Sequence, residues 1–234
     1  MSIGENIAQV RERIAAAAAR VRRRPGDVTL VAVTKTVDPD RILQAYEAGL
    51  RVFGENRVQE FEKKASAFAD RKDAEWHLIG HLQSNKAKKA ADLFQAVDSV
   101  DSLHLAQRLN DAARQMGKVL PVLIEIKVSD EASKTGIPAG SPELENLLAG
   151  AATLDHIQVR GLMTVPPFTE DPEGARVFFR LLRDRRDQIA ARKLPRIEMD
   201  VLSMGMSHDF DVAIEEGSTC VRVGTAIFGA RPKP

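Results

Sequence analysis

The sequence predicts a single (β/α)8 TIM barrel with an extra N-terminal helix, and three observations carry that prediction. Short apolar runs alternate with amphipathic stretches along nearly the whole chain, the runs number eight, and no Gly/Ser-rich or Pro-rich linker interrupts them. Parallel neighbours need crossover helices, so this alternation implies a parallel sheet. Eight strands are also the number that closes a barrel in a chain of 234 residues. An open doubly wound sheet is the alternative, but it usually opens on a glycine-rich first turn, and here that turn reads Thr34-Lys35-Thr36-Val37. One domain over residues 1–234 is expected.

Ile3, Ile7, Val10, Ile14 and Val21 form the stripe of an amphipathic helix over residues 2–23, which Arg22-Arg23-Arg24-Pro25-Gly26 stops. Val28 to Val33 is nearly continuously apolar and rich in β-branched residues, as expected of a strand buried on both faces. The unit then recurs: a helix near 39–48, a strand near 51–54, a helix near 57–69 and a strand near 75–79. A helix near 85–91 precedes a fourth strand at Leu93 to Val97, and a helix near 102–115 precedes a fifth at Val119 to Ile126. A helix near 142–151 leads to a strand at Ile157 to Leu162, and one near 172–191 to a seventh at Met199 to Leu202. A short helix over 208–216 leads to the eighth, Thr219 to Val223. The first helix lies outside the repeat and is expected to cover the place that a helix after strand eight would take.

Composition narrows the function classes. With 34 Lys and Arg against 33 Asp and Glu the net charge is +1, so no global basic field points to nucleic acid, and aromatics at 5% supply few stacking platforms. The 44% hydrophobic and 29% charged content is that of a folded globular chain rather than a disordered one. A lone cysteine, Cys220, excludes an intramolecular disulfide framework and fits a cytoplasmic setting. The N-terminus lacks a basic region followed by an apolar run, and no stretch is long enough to span a bilayer, so neither export nor membrane insertion is expected.

Barrels of this kind carry their chemistry at the C-terminal ends of the strands. Lys35 is the first cation past strand one. It reads either as a surface lysine or as an amine that, once partly desolvated, loses its proton and attacks a carbonyl. A second cluster joins Ser203-Met204-Gly205-Met206-Ser207, expected as the loop after strand seven, to Arg222-Val223-Gly224-Thr225 at the end of strand eight. Small residues admit an anion to backbone N–H groups, and Ser207 is placed to cap the following helix. The loops after strands seven and eight are the recurrent phosphate site of this architecture, which favours a phosphate cradle over ordinary turns. Arg222 lies within an apolar strand and needs either a carboxylate or a ligand oxygen. Strand one adjoins strand eight in a closed barrel, so lysine and cradle become neighbours. A ligand bearing both a phosphate and a carbonyl fits them, and pyridoxal 5′-phosphate is such a ligand.

Other signals carry less. His77 and His81 are four apart, but Gly80 intervenes and no HExxH pattern is present, so no metal is expected. Ser207-His208-Asp209 contains triad residue types, yet adjacent residues cannot form the triad chain and there is no GxSxG elbow. Cys220 reads as a buried inert thiol, and Arg20 to Arg24 and Lys86 to Lys89 as solvated helix ends.

Six ordered motifs spanning the chain resemble the pyridoxal phosphate homeostasis proteins. They are Leu30-Val31-Ala32-Val33-Thr34-Lys35, Phe53 to Glu60, Trp76 to Lys86, Gly161-Leu162-Met163, Leu202 to Ser207 and Val221 to Gly229. The resemblance implies a barrel similar to the N-terminal domain of alanine racemase. It further implies Lys35 as the Schiff-base lysine, Asn56 as a cofactor-side contact, and Ser203, Gly205, Ser207, Gly224 and Thr225 around the phosphate, with Arg222 toward phosphate or ring. Racemases of this architecture draw a tyrosine base from an additional β domain, which is not expected here. The only tyrosine, Tyr46, falls in a predicted helix and reads as a packing residue. The expectation is therefore a monomeric, cytoplasmic protein that binds pyridoxal 5′-phosphate without committed catalysis, with apo-enzymes as recipients. An active amino-acid racemase is the alternative, and a sugar-phosphate barrel enzyme using lysine without a cofactor is a third.

Overall fold

The computed structural model describes residues 1–129, 131 and 135–230. Among these, nine strands run β1 (Thr29–Val33), β2 (Val52–Glu55), β3 (Glu75–Leu78), β4 (Ala96–Val100), β5 (Leu120–Lys127), β6 (Ile137–Pro138), β7 (Ile157–Met163), β8 (Ile197–Met206) and β9 (Cys220–Val223). The helices are α1 (Ile3–Arg20), α2 (Pro39–Glu47), α3 (Val58–Lys64), α4 (Ala87–Leu93), α5 (Leu103–Gln115), α6 (Pro142–Ala151), α7 (Arg176–Ala190), α8 (Phe210–Glu215) and α9 (Thr225–Phe228). Every pairing is parallel, and the order β4-β3-β2-β1-β9-β8-β7-β5 closes through β4 against β5. The predicted eight-stranded barrel with an N-terminal helix is therefore present. The two-residue β6 pairs only with the end of β5, outside the closed ring.

Alternation along each strand divides the core into two parts. Outward residues such as Phe53 and Trp76 pack under the helices. Trp76 lies 4.3 Å from Phe61 of α3, 5.0 Å from Phe53 and 4.9 Å from Phe68, centroid to centroid. Inward residues are unusually polar, with Asp98, Ser99, Ser203 and Arg222 all buried.

That polar interior explains two departures from the sequence reading. The fourth strand is Ala96–Val100 and not Leu93 to Val97, because α4 continues through Leu93 and Phe94 is buried at its end. Asp98 and Ser99 face a protein interior, so an apolarity criterion ends this strand too early. The seventh barrel strand likewise runs on from Leu202 to Met206, so Ser203 and Gly205 belong to strand and not to loop. Gly205 adopts φ 96°, and a Cβ there would sit 2.6 Å from the Ala213 methyl of α8, so its small size serves the approach of β8 to that helix. The predicted helix over 57–69 divides into α3 and a 3₁₀ turn at Ala65–Phe68.

A capping box starts α1: the Ser2 hydroxyl accepts from the Glu5 N–H at 3.2 Å, and the Ser2 N–H donates to Glu5 at 2.7 Å. Its buried stripe, Ile3, Ile7, Val10, Ile14, Ala17 and Ala18, packs against α8, α9 and α2. The helix thus covers the ground beside the four-residue α9, which is too short to cover it alone. Arg20 pairs with Glu215 at 2.6 Å, and Arg23 donates to the Ser218 carbonyl at 2.8 Å, so this basic run anchors α1 rather than being merely solvated.

At the N-terminal mouth of the barrel, His77 Nδ1 meets Asp98 at 3.2 Å beside Cys220, in a cavity of about 370 Å³. Burial alone disfavours the imidazolium, but the Asp98 charge and hydrogen bond outweigh it and hold His77 above its ordinary 6.5. Cys220 is pushed up to about 12, first by burial and then by the Asp98 charge.

Three outcomes follow from this packing. A Cβ on Gly161 would fall 1.8 Å from the Val201 carbonyl oxygen of β8. Gly161→Ala is therefore expected to lower stability by about 1–3 kcal/mol in urea unfolding, the usual range for overpacking. The Cys220 thiol should resist alkylation by iodoacetamide at neutral pH in the native protein and react once urea unfolds it, as read by mass. Because His77 titrates above its unfolded value, its pair with Asp98 stabilises fully below about pH 6.5 and loses that contribution as pH rises through the folded value. Urea midpoints across a pH series should show this decline, and Asp98→Asn should remove it.

Candidate cofactor site

The C-terminal mouth of the barrel gathers most of the sequence-predicted site. Lys35 stands half-buried just past the end of β1, and Asn56 follows β2 directly. Ser207 follows β8, Arg222 lies in β9, and Gly224 and Thr225 begin the turn into α9. These six residues line one cavity of about 310 Å³, at the lower end of the range for small-molecule sites. A larger groove of about 530 Å³ runs between α3 and α4, but on the flank of the barrel, away from the strand ends where this architecture places its chemistry.

Barrel closure explains the grouping. β1 pairs with β9 in the register Val31↔Arg222 and Ala32↔Val223, so the segments leaving the two strands emerge side by side. Lys35 and Gly224, far apart in sequence, thereby share a wall.

Ser203 and Gly205 are not among the residues lining the cavity. Ser203 is fully buried in β8, and its hydroxyl accepts from Arg222 at 2.6 Å. The second guanidinium nitrogen donates to the Thr164 carbonyl at 2.7 Å, and the Thr164 hydroxyl donates in turn to the Ile126 carbonyl at 2.7 Å. Arg222 is thus fixed in the floor of the cavity. Burial pulls its guanidinium below the usual value, opposed by the nearby Asp98, Glu125 and Asp209 carboxylates. Burial also raises Glu125 and Asp209, so both acids are held toward their neutral forms.

Ser207 does not cap the following helix. That helix begins at Phe210, with Asp209 at its N-cap position and the Asp209 carboxylate accepting from the Met206 N–H at 2.6 Å. The Ser207 hydroxyl points instead across the barrel seam, accepting from the Gly224 N–H at 3.2 Å and the Ala226 N–H at 3.3 Å. It therefore ties the end of β8 to the turn after β9, the two segments expected to form the cradle. The triad types at Ser207-His208-Asp209 take separate partners: the His208 ring lies 3.1 Å from the Thr169 and Glu170 carbonyls, while the Asp209 carboxylate accepts from the Met206 N–H.

Sequence reasoning did not single out Val33, Ile79, Val165, Met206 and His208 as lining residues. All five stand at or just past strand ends, Val33 and Met206 closing β1 and β8, Ile79 and Val165 following β3 and β7, and His208 following β8, so the strand-end rule points to each of them. His81 pairs with Asp101 at 3.0 Å rather than with His77, and no group of three or more His, Cys, Asp or Glu is placed to hold a metal among the described residues. No helix of the described residues is long and apolar enough to cross a membrane.

The sequence model described as "Alanine racemase, N-terminal domain" matches residues 6–232. The pyridoxal phosphate homeostasis protein of Aquifex aeolicus is 44% identical over 232 residues, covering 99% of each chain. That of Escherichia coli K12 is 45% identical over 98% of this chain and 97% of its own. Among solved structures, PipY of Synechococcus elongatus with PLP bound superposes with a TM-score of 0.86 at 36% identity, covering 97% of this chain and 100% of PipY. An alanine racemase from Clostridium difficile shares the fold alone, at 13% identity, a TM-score of 0.72 and 57% of its own length. On this agreement of sequence over the whole chain with the geometry of the barrel, the protein belongs to the pyridoxal phosphate homeostasis family, built on the alanine racemase N-terminal domain.

Proposed function

We propose that this protein binds pyridoxal 5′-phosphate through Lys35 and holds it as part of cellular vitamin B6 homeostasis. One observation carries the reading: Lys35 and the seam of Ser207, Gly224 and Thr225 line the same cavity, with the Arg222 guanidinium in its floor. The cavity offers an amine together with hydroxyls and backbone N–H groups, which suits a ligand that carries both an aldehyde and a phosphate dianion.

The chemistry the cofactor would supply is an aldehyde, with which the neutral Lys35 amine condenses by forming a C=N bond and releasing one water. Ser207, Gly224 and Thr225 hold the phosphate end. Asn56 and Arg222 flank the ring, and Ser203 acts from behind by fixing Arg222. Gly205 contributes by seating β8 on α8.

Two observations support holding over turnover. The relatives are described by homeostasis rather than by a reaction. The only tyrosine, Tyr46, lies in α2 with its hydroxyl 2.5 Å from Asp73 and the Arg51 guanidinium stacked 4.1 Å over its ring, outside the cavity. The lone buried cysteine fits a reducing, cytoplasmic setting, with apo-enzymes as recipients of the cofactor.

Protein incubated with pyridoxal 5′-phosphate should turn yellow, and borohydride reduction followed by peptide mapping should place the label on Lys35. Lys35→Ala should abolish the label while leaving the urea midpoint within about 0.5 kcal/mol of the parent, as for a substitution outside the core. Colourless protein, or a label on another lysine, would refute the assignment. Exchange of the α-proton of an amino acid for deuterium, lost in Lys35→Ala, would instead establish a racemase-type activity.

A further inference from the structure

We infer that Glu60 and Lys64 of α3 are positioning residues for Lys35, gripping the peptide groups on either side of it. The inference rests on Lys35 as the cofactor-binding amine and adds residues that do not line the cavity.

Lys64 is a buried lysine, an expensive residue to bury unless its ammonium is paired. Its Nζ donates to three oxygens: the Thr34 carbonyl at 2.9 Å, Glu55 Oε1 at 2.9 Å and Glu60 Oε1 at 3.0 Å. The first of these is the carbonyl of the peptide bond that leads into Lys35. On the other side, the N–H of Thr36 donates to the same Glu60 oxygen. The peptide bonds before and after Lys35 are thus held by two side chains one helical turn apart, which are themselves an ion pair. Glu55, fully buried at the end of β2, completes the set by accepting from the Thr34 hydroxyl at 2.7 Å.

The backbone shows why a grip is needed. Thr36 adopts φ 61°, a left-handed conformation unfavourable for a β-branched residue. Such strain persists only where the surroundings over-determine it. Here the strained residue directly follows Lys35, in a turn closed by the Val37 N–H donating to the Thr34 carbonyl at 3.0 Å, and Glu60 adds a bond from the side chain to the Thr36 N–H. Without Glu60 the turn loses its hold on that N–H, and the direction in which Lys35 leaves the backbone is less firmly set. Stability alone gives no reason to strain a residue at this point in the chain. Fixing the Lys35 side chain toward the cavity does.

Glu60 is the residue to test, because it is only partly buried and its loss leaves Lys64 paired one to one with Glu55. In Glu60→Ala, the bound cofactor should leave about fivefold faster, as expected for the loss of one ordinary hydrogen bond, and its induced circular dichroism should fall. In the cofactor-free protein, the Thr36 amide should lose protection from hydrogen exchange. Glu60→Gln, whose side-chain carbonyl still accepts from Thr36, should recover most of each property, which a general loss of stability would not. Wild-type release rate, dichroism and Thr36 protection in Glu60→Ala would overturn the inference. Failure of the parent protein to trap cofactor on Lys35 would instead refute the cofactor assignment, so the two failures are distinguishable.

Discussion

The pairing of β1 with β9 is the contact on which the rest of the structure depends. It closes eight parallel strands into a ring, and closure leaves no barrel edge to be protected. It also decides where the chemistry lies. Lys35 leaves β1, and Gly224 leaves β9, at the same end of the same seam, and Ser207 reaches across from β8 to the N–H groups of Gly224 and Ala226. An open sheet with the same strands would separate these groups.

The interior of the ring sets polar contacts beside apolar side chains such as Val31, Ile79 and Leu123. A buried guanidinium without partners would be costly, and Arg222 meets this by donating to Ser203 and the Thr164 carbonyl with three carboxylates nearby. His77 and Asp98 form a second polar pair toward the opposite mouth. The apolar core lies outside the ring, in the layer between strands and helices, where Trp76, Phe53, Phe61 and Phe68 pack together. Stability and site chemistry are thereby assigned to different faces of the same strands.

A protein that holds a reactive aldehyde has to present one amine in one direction. With Lys35 as the proposed amine, the strained turn at Thr36 and the two contacts from α3 are what would meet that requirement. The Trp76 to Lys86 motif divides between packing and site: Trp76 and Leu82 are core residues, while Ile79 borders the cavity.

The sequence by itself determined the number and order of the eight barrel strands and the helices between them, because helical and strand periodicities are local properties of the chain; the two-residue β6 and the four-residue α9 are too short to show a period. It also picked out Lys35, Asn56, Ser207, Arg222, Gly224 and Thr225, since strand ends are readable once strands are counted. Tertiary structure decided the rest. The extents of β4 and β8 depend on an interior that accepts Asp98, Ser99 and Ser203, and polarity along the chain does not reveal which residues face inward. Ser207 looked like a helix cap and instead bridges two strand ends. The sequence assigns Lys64 no role, and Glu60 none beyond its place at the end of the Phe53 to Glu60 motif. Their role depends on partners in β1 and the turn after it, and a hydrogen bond between distant segments exists only once the fold has brought them together.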